Sequence, residues 1–137
     1  MSIQASIDIY FVRDQCPSSV LSRLVGHGWD VNFNGEVMLL PENGFDDYEW
    51  IVIDLEEFDF PEFMGKADKA GRAGIVLVFN DKIGGGVLIS RNSVSFSLSI
   101  NRVLLVDNVP DFSWYVSRIL PVFHGLEISG IQCETIF

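Results

Sequence analysis

The sequence predicts a single α+β domain over residues 1–137, a mostly antiparallel or mixed sheet of about seven strands packed by about three helices. Three observations carry that prediction. Runs of β-branched and aromatic residues recur at short spacing and are mostly joined as hairpins. Three other stretches place apolar residues at helical spacing. Finally, 137 residues of which 48% are hydrophobic supply one sizeable core, too much apolar surface for a disordered chain and too little length for two ordinary domains.

Ser6-Ile7-Asp8-Ile9-Tyr10-Phe11-Val12 reads as the first strand. Pro17 opens a helix with Val20, Leu21, Leu24 and Val25 on its apolar face, and Gly26 and Gly28 end it. Trp29, Val31 and Phe33 alternate with polar residues as far as Asn34-Gly35, beyond which Val37 to Leu40 continues. That dipeptide suits the type I′ turn that matches strand twist, so a hairpin is expected. Pro41 to Asp47 is a polar loop, and Trp50 to Leu55 is an apolar run expected as a strand buried on one or both faces. Asp59 and Glu62 have capping-box spacing around Pro61 and announce a short helix, with Phe60, Phe63, Met64 and Ala67 inward and Gly71 at its end.

Ile75 to Phe79 is a strand of nearly pure β formers. Val87 to Ser90 turns through Arg91-Asn92 into Val94 to Ile100, and Val103 to Val106 is expected to extend the same sheet. In the last helix Asp107 or Asn108 supplies the cap and Pro110 fits the first turn. Phe112, Tyr115, Val116, Ile119, Leu120 and Phe123 form its apolar stripe. Pro121 should kink or end it, because proline removes a helical donor and clashes one turn back. Leu126 to Phe137 is the final strand.

Nine Lys+Arg against nineteen Asp+Glu give a net charge of -10, which repels phosphate backbones and argues against a nucleic-acid binder. No apolar run approaches the ~20 residues of a membrane span. Met1 to Ile9 lacks the positive start and apolar stretch of a secretory signal. Cys16 and Cys133 are too few for a disulfide scaffold and are expected as reduced thiols, though they could pair if the first and last strands were neighbours. These features together predict a cytoplasmic protein.

Catalytic signatures are scarce. His27 and His124 are the only histidines, each beside a glycine at an expected helix end, where a protonated ring favours the helix dipole. No close Cys or His pair offers a zinc site. No nucleophile elbow, P-loop or dinucleotide fingerprint occurs. Gly84-Gly85-Gly86 lacks a following Lys-Ser/Thr and leads into a strand, so it reads as a flexible turn. The expectation is a protein without catalytic residues, metal or cofactor.

The distinctive feature is an acidic block. Glu42, Asp46, Asp47, Glu49, Asp54, Glu56, Glu57, Asp59 and Glu62 fall within 24 residues that contain no Lys or Arg, interleaved with Phe45, Tyr48, Trp50, Phe58, Phe60 and Phe63. A charge run by itself is a solvated face that keeps a protein soluble. Aromatics among the acids point instead to a protein interface, which uses rigid aromatic anchors inside a charged rim. The pairs Asp46-Asp47 and Glu56-Glu57 do not match a Ca²⁺-binding loop, and no Asn, Gln and Arg set around them suggests a sugar cleft. The candidate partner-binding residues are therefore Asp46, Asp47, Tyr48, Glu49, Glu56, Glu57, Phe58, Asp59 and Glu62. Trp114 and Arg118, four apart on the helix side opposite Tyr115 and Ile119, form a second candidate surface. Trp114 could equally pack under a loop, and Arg118 could neutralise part of the block.

A small, acidic, single-domain chain without catalytic residues resembles the immunity proteins of bacterial contact-dependent inhibition and other polymorphic toxin systems. The resemblance rests on that general character and on Asp111-Phe112-Ser113-Trp114-Tyr115 through Ile119-Leu120-Pro121. It implies a single domain that binds a cognate toxin domain tightly and covers its active site. Joined to the acidic block, it implies a basic toxin, a nuclease whose substrate groove the carboxylates would occupy. Two other classes remain open at this point: a non-catalytic acidic interaction module or adaptor, and a small carboxylate-dependent hydrolase.

Overall fold

Alternation along the strands places one continuous apolar row beneath the helices. In the computed structural model, which describes residues 3–137, Ile7 stands opposite Phe96, Phe96 opposite Val87, Val87 opposite Ile75, and Ile75 opposite Leu39. All five side chains are buried. Met1 and Ser2, the start of the stretch expected to lack a secretory signal, lie outside the described residues.

The strands are β1 (Gln4–Phe11), β2 (Trp29–Asp30), β3 (Glu36–Leu39), β4 (Ile51–Asp54), β5 (Arg72–Phe79), β6 (Ile83–Ser90), β7 (Ser93–Ser97), β8 (Leu104–Val106), β9 (Val109–Pro110) and β10 (Ile128–Ile136). The helices are α1 (Pro17–Gly26), α2 (Phe60–Ala70) and α3 (Phe112–Ile119). The main sheet runs β10-β1-β7-β6-β5-β3-β4, with β2 also on β5, and all its pairings are antiparallel. This is the expected α+β class, with more and shorter strands than the sequence count. Leu21 and Leu24 of α1, Ala67 of α2, and Tyr115 and Ile119 of α3 close the core over the apolar row. The opposite face of β1, β7 and β6 is mixed, with Asp8 opposite Ser95 and Ser95 opposite Leu88, and with Tyr10 opposite Ser93.

Several local expectations form as drawn. Asp59 caps α2 by accepting the Glu62 backbone N–H at 3.1 Å, and the helix stops at Gly71. Proline at position 121 ends α3 as expected, the chain continuing as a 3₁₀ turn over Leu120–Phe123. Asn34-Gly35 turns with φ of 56° and 83°, and Phe33 and Glu36 exchange backbone hydrogen bonds across it.

Other expectations are corrected. The Asn34-Gly35 turn does not carry a long hairpin: β2 leaves to pair with β5, Trp29 opposite Phe79, while β3 pairs with β4. Burial of the Trp29 ring between Phe79 and Phe96 draws β2 toward the centre of the sheet. The Trp50 to Leu55 run is not a buried strand; β4 is the last strand of the sheet, with Ile51 42% and Val52 50% exposed. Val103 to Val106 does not extend the main sheet, because β8 pairs with β9 in a separate ribbon. The cap of α3 is Asp111, not Asp107 or Asn108, and Pro110 lies in β9 before the helix. Val25 is exposed.

Gly84-Gly85-Gly86 is no flexible turn either. The three residues lie in β6, paired with β5. A β-carbon would stand 1.9 Å from the Leu77 carbonyl oxygen at Gly84 and 1.7 Å from that of Ser97 at Gly85. Glycine is required there because neighbouring backbone comes too close for any side chain. β1 and β10 are indeed neighbours, yet Cys16, at the head of α1, and Cys133, on β10, are both free and exposed. Among the described residues no helix is long and apolar enough to cross a membrane.

Candidate functional site

The acidic block wraps around the β4 end of the sheet onto both of its faces: Glu42, Glu57, Asp59 and Glu62 stand on the α2 side, while Asp46 lies near Leu88, Ser93 and Ser95 on the open face. It begins in a 3₁₀ turn (Glu42–Gly44), continues through the loop that carries Asp46, Asp47, Tyr48 and Glu49, and passes along β4. A second 3₁₀ turn (Leu55–Glu57) holds Glu56 and Glu57 and delivers the chain to the cap of α2. All nine carboxylate residues are exposed. Among the described residues there are two ion pairs, and only one involves the block: Lys66 Nζ to Glu62 at 2.9 Å. That pair raises the Lys66 pKa, through the hydrogen bond and charge of Glu62 with a smaller contribution from Glu42. Eight of the nine acids thus face water without an ion-pair partner in the described structure.

The aromatics divide in a way the sequence does not reveal. Tyr48 is 60% exposed, in a left-handed backbone conformation at φ 50°, and borders Trp50, Leu88 and Ser95 on the open face of the sheet. Phe58 is half-buried, its ring 5.8 Å from that of Phe60 and 5.7 Å from that of Phe63. The three rings pack against the core and hold the second turn and the start of α2 down on the sheet. Phe45 lies beneath the Arg72 guanidinium, 4.4 Å from its ring centroid. Trp50 covers Gly86 on the open face of the sheet. Of the expected anchors, then, Tyr48 projects, while Phe58 supports.

Between α2 and the β3–β4 edge runs a groove of about 340 Å³. Its apolar lining includes Leu39, Ile51, Ile53, Phe58, Phe63 and Ala67, and Glu42, Glu57, Asp59 and Glu62 stand along it. Lys66 and Arg72 also line it, the first tied to Glu62 and the second stacked on Phe45. Sequence reasoning missed the groove residues Ile51, Ile53, Lys66 and Arg72. The signal that could have found the first two is the cluster of acids around the run Ile51-Val52-Ile53, an unusual setting for a central strand.

The second candidate surface is folded in upon itself. The Arg118 guanidinium lies 4.0 Å from the Trp114 ring centroid, and its Nη1 donates to the Trp114 carbonyl at 3.0 Å. Trp114 is half-buried, edge-on to Tyr115 at 5.0 Å and to Phe79 at 6.1 Å. Arg118 makes no ion pair with the block among the described residues.

Among the described residues no group of three or more His, Cys, Asp or Glu side chains is placed to hold a metal ion. His27 Nδ1–H donates to the Arg23 carbonyl at 2.8 Å, closing the end of α1. The arrangement supplies what protein recognition uses, namely unneutralised charge beside an apolar strip. No protein family, curated protein or solved structure matches the chain.

Proposed function

We propose that the protein is a cytoplasmic immunity protein that binds a cognate basic toxin domain, a nuclease, and blocks its active site with the acidic face around β4. The observation that carries this reading is the exposed block itself, nine carboxylates of which one is paired within the fold. Crowding like charges costs stability, and the cost is offset when a positive cleft, such as one built to hold phosphates, receives them. A net charge of -10 also steers the inhibitor toward that cleft. Steering brings association to ~10⁸–10⁹ M⁻¹s⁻¹ at low salt, which suits a protein that must capture its target before damage accumulates.

The test begins with the product of the adjacent gene, mixed with this protein and washed at high salt. The expected result is a retained complex and loss of the partner's nuclease activity. Replacing Asp46, Asp47, Glu56 and Glu57 by Asn or Gln should then slow association roughly tenfold or more at low ionic strength. The difference should shrink as salt rises. Association that is equally fast in the variant, or insensitive to salt, removes the reading.

A further inference from the structure

The two ends of the main sheet are not alike. β10 is nine residues long and carries one charged side chain, Glu134. β4 is four residues long and ends the sheet beside the acidic block. Open strand edges are ordinarily blunted by shortness, by charged side chains, by proline or by a bulge, since an unpaired row of N–H and C=O groups templates further pairing. β4 is short and ends in Asp54, but its protection goes no further, and its charge is of the sign that attracts a basic strand. It contains neither lysine nor proline, and its register against β3 is unbroken from Glu36↔Asp54 to Leu39↔Ile51.

We propose that β4 is a docking edge that accepts an extended, basic segment of the protein partner as an additional strand. This rests on the proposed recognition of a basic partner and specifies how that partner would be held. Added strands gain affinity from main-chain hydrogen bonds and specificity from pockets for alternate side chains. Both elements are present. Ile51 and Ile53, opposite Leu39 and Val37, face the α2 side and line the groove, which leaves room there for the alternate side chains of an incoming strand. Val52, on the other side of the strand, is half exposed.

Charge selects the occupant. Glu49 precedes β4, Asp54 closes it, and Glu56 and Glu57 follow directly, while the nearby cations Lys66 and Arg72 are already engaged by Glu62 and Phe45. A second copy of this chain would bring a second acidic block against the first. A strand with apolar residues at alternate positions and Lys or Arg between and beside them meets both the groove and the rim. Four residues of edge span about 13 Å, enough for a short strand and no more.

The probe is a disulfide-cyclised hairpin peptide whose outer strand alternates Lys and Val, titrated into isotopically labelled full-length protein and followed by backbone amide resonances. The expected result is shifts centred on Ile51–Asp54 and on Phe58 and Phe63, with slowed hydrogen exchange of β4 amides. N-methylation of the outward amides of that peptide strand should weaken binding at least tenfold, and replacing Lys by Glu should abolish it. If the N-methylated peptide binds equally well and shifts only 46–49 and 56–57, the docking edge is wrong while recognition of basic partners survives. If no cationic peptide binds at low salt, the proposed function fails with it. Shifts centred on β10, or dimerisation of the free protein through β4, also overturn the proposal.

Discussion

Asp68, on α2, closes the first turn of α1: it accepts the Ser18 backbone N–H at 2.9 Å and the Ser18 hydroxyl at 2.5 Å. The helix needs this help, because its own cap residue, Cys16, makes no side-chain hydrogen bond to the first turn. A carboxylate at that position satisfies an orphan donor and sits favourably against the positive end of the helix. Asp68→Ala should therefore destabilise the protein by about 1–3 kcal/mol, and Asp68→Asn by less, since an amide oxygen still accepts. Urea unfolding of the single variants and of Asp68→Ala with Ser18→Ala measures the pair. Strictly additive losses would show that the two residues do not act together.

Gly84 and Gly85 set a sharper limit. Any β-carbon there meets a backbone carbonyl rather than a flexible side chain, so the strands themselves must move. Gly84→Ala or Gly85→Ala should cost at least about 2–3 kcal/mol, or prevent folding. Gly65 is the control. It lies inside α2 with nothing within 4 Å of a β-carbon, so Gly65→Ala should stabilise by about 0.5–1 kcal/mol. Thermal unfolding of the three variants side by side checks the opposite signs.

These residues show what was legible beforehand. α2 could be read from Asp59, Glu62 and Gly71 because capping is a local matter, decided within one turn of chain. The exposure of β4 could not. Ile51-Val52-Ile53 has the same composition whether the strand lies in the middle of a sheet or at its end, and strand order depends on partners far away in sequence. Gly84-Gly85-Gly86 likewise reads as loose until the Leu77 and Ser97 carbonyls are in place. For the site, exposure of the acids was legible because charged side chains stay in water wherever the chain goes, whereas their division between the two faces of the sheet was not. Phe60 and Phe63 follow the expected apolar face of α2, but that Phe58 would join them against the core, and not the acids, was set by how α2 lands.

Trp114 and Arg118 separate packing from recognition. The indole contacts Phe79 and Tyr115, so Trp114→Ala should lose about 2–3 kcal/mol through lost burial and ring contacts. Arg118 gains from the indole face and from one carbonyl, and Arg118→Ala should lose about 0.5–1 kcal/mol. A Trp114→Ala variant of unchanged stability would show that the ring contacts to Phe79 and Tyr115 do not hold the fold. Denaturant titration decides this without any partner in hand.

Tyr115 provides a pH signature of the core. Its ring is fully buried, and the Val103 backbone N–H donates to its oxygen at 3.1 Å. Burial pushes its pKa above the ordinary 10.0, and the Val103 N–H and the Arg102 charge oppose that only in part. A group whose folded pKa is raised binds its proton more tightly in the native state. Its contribution is therefore complete below pH 10 and is lost as pH rises from there through the folded value, at a slope of at most about 1.4 kcal/mol per pH unit. Tyr115→Phe removes this titration but strands the Val103 donor, which costs about 1–3 kcal/mol at neutral pH. The stability gap between the two proteins should thus be widest near neutrality and narrow above pH 10. Ionisable groups common to both proteins cancel in the difference. Parallel stability curves from pH 7 to 11 would mean that the Tyr115 hydroxyl is as free to ionise in the folded protein as in the unfolded chain.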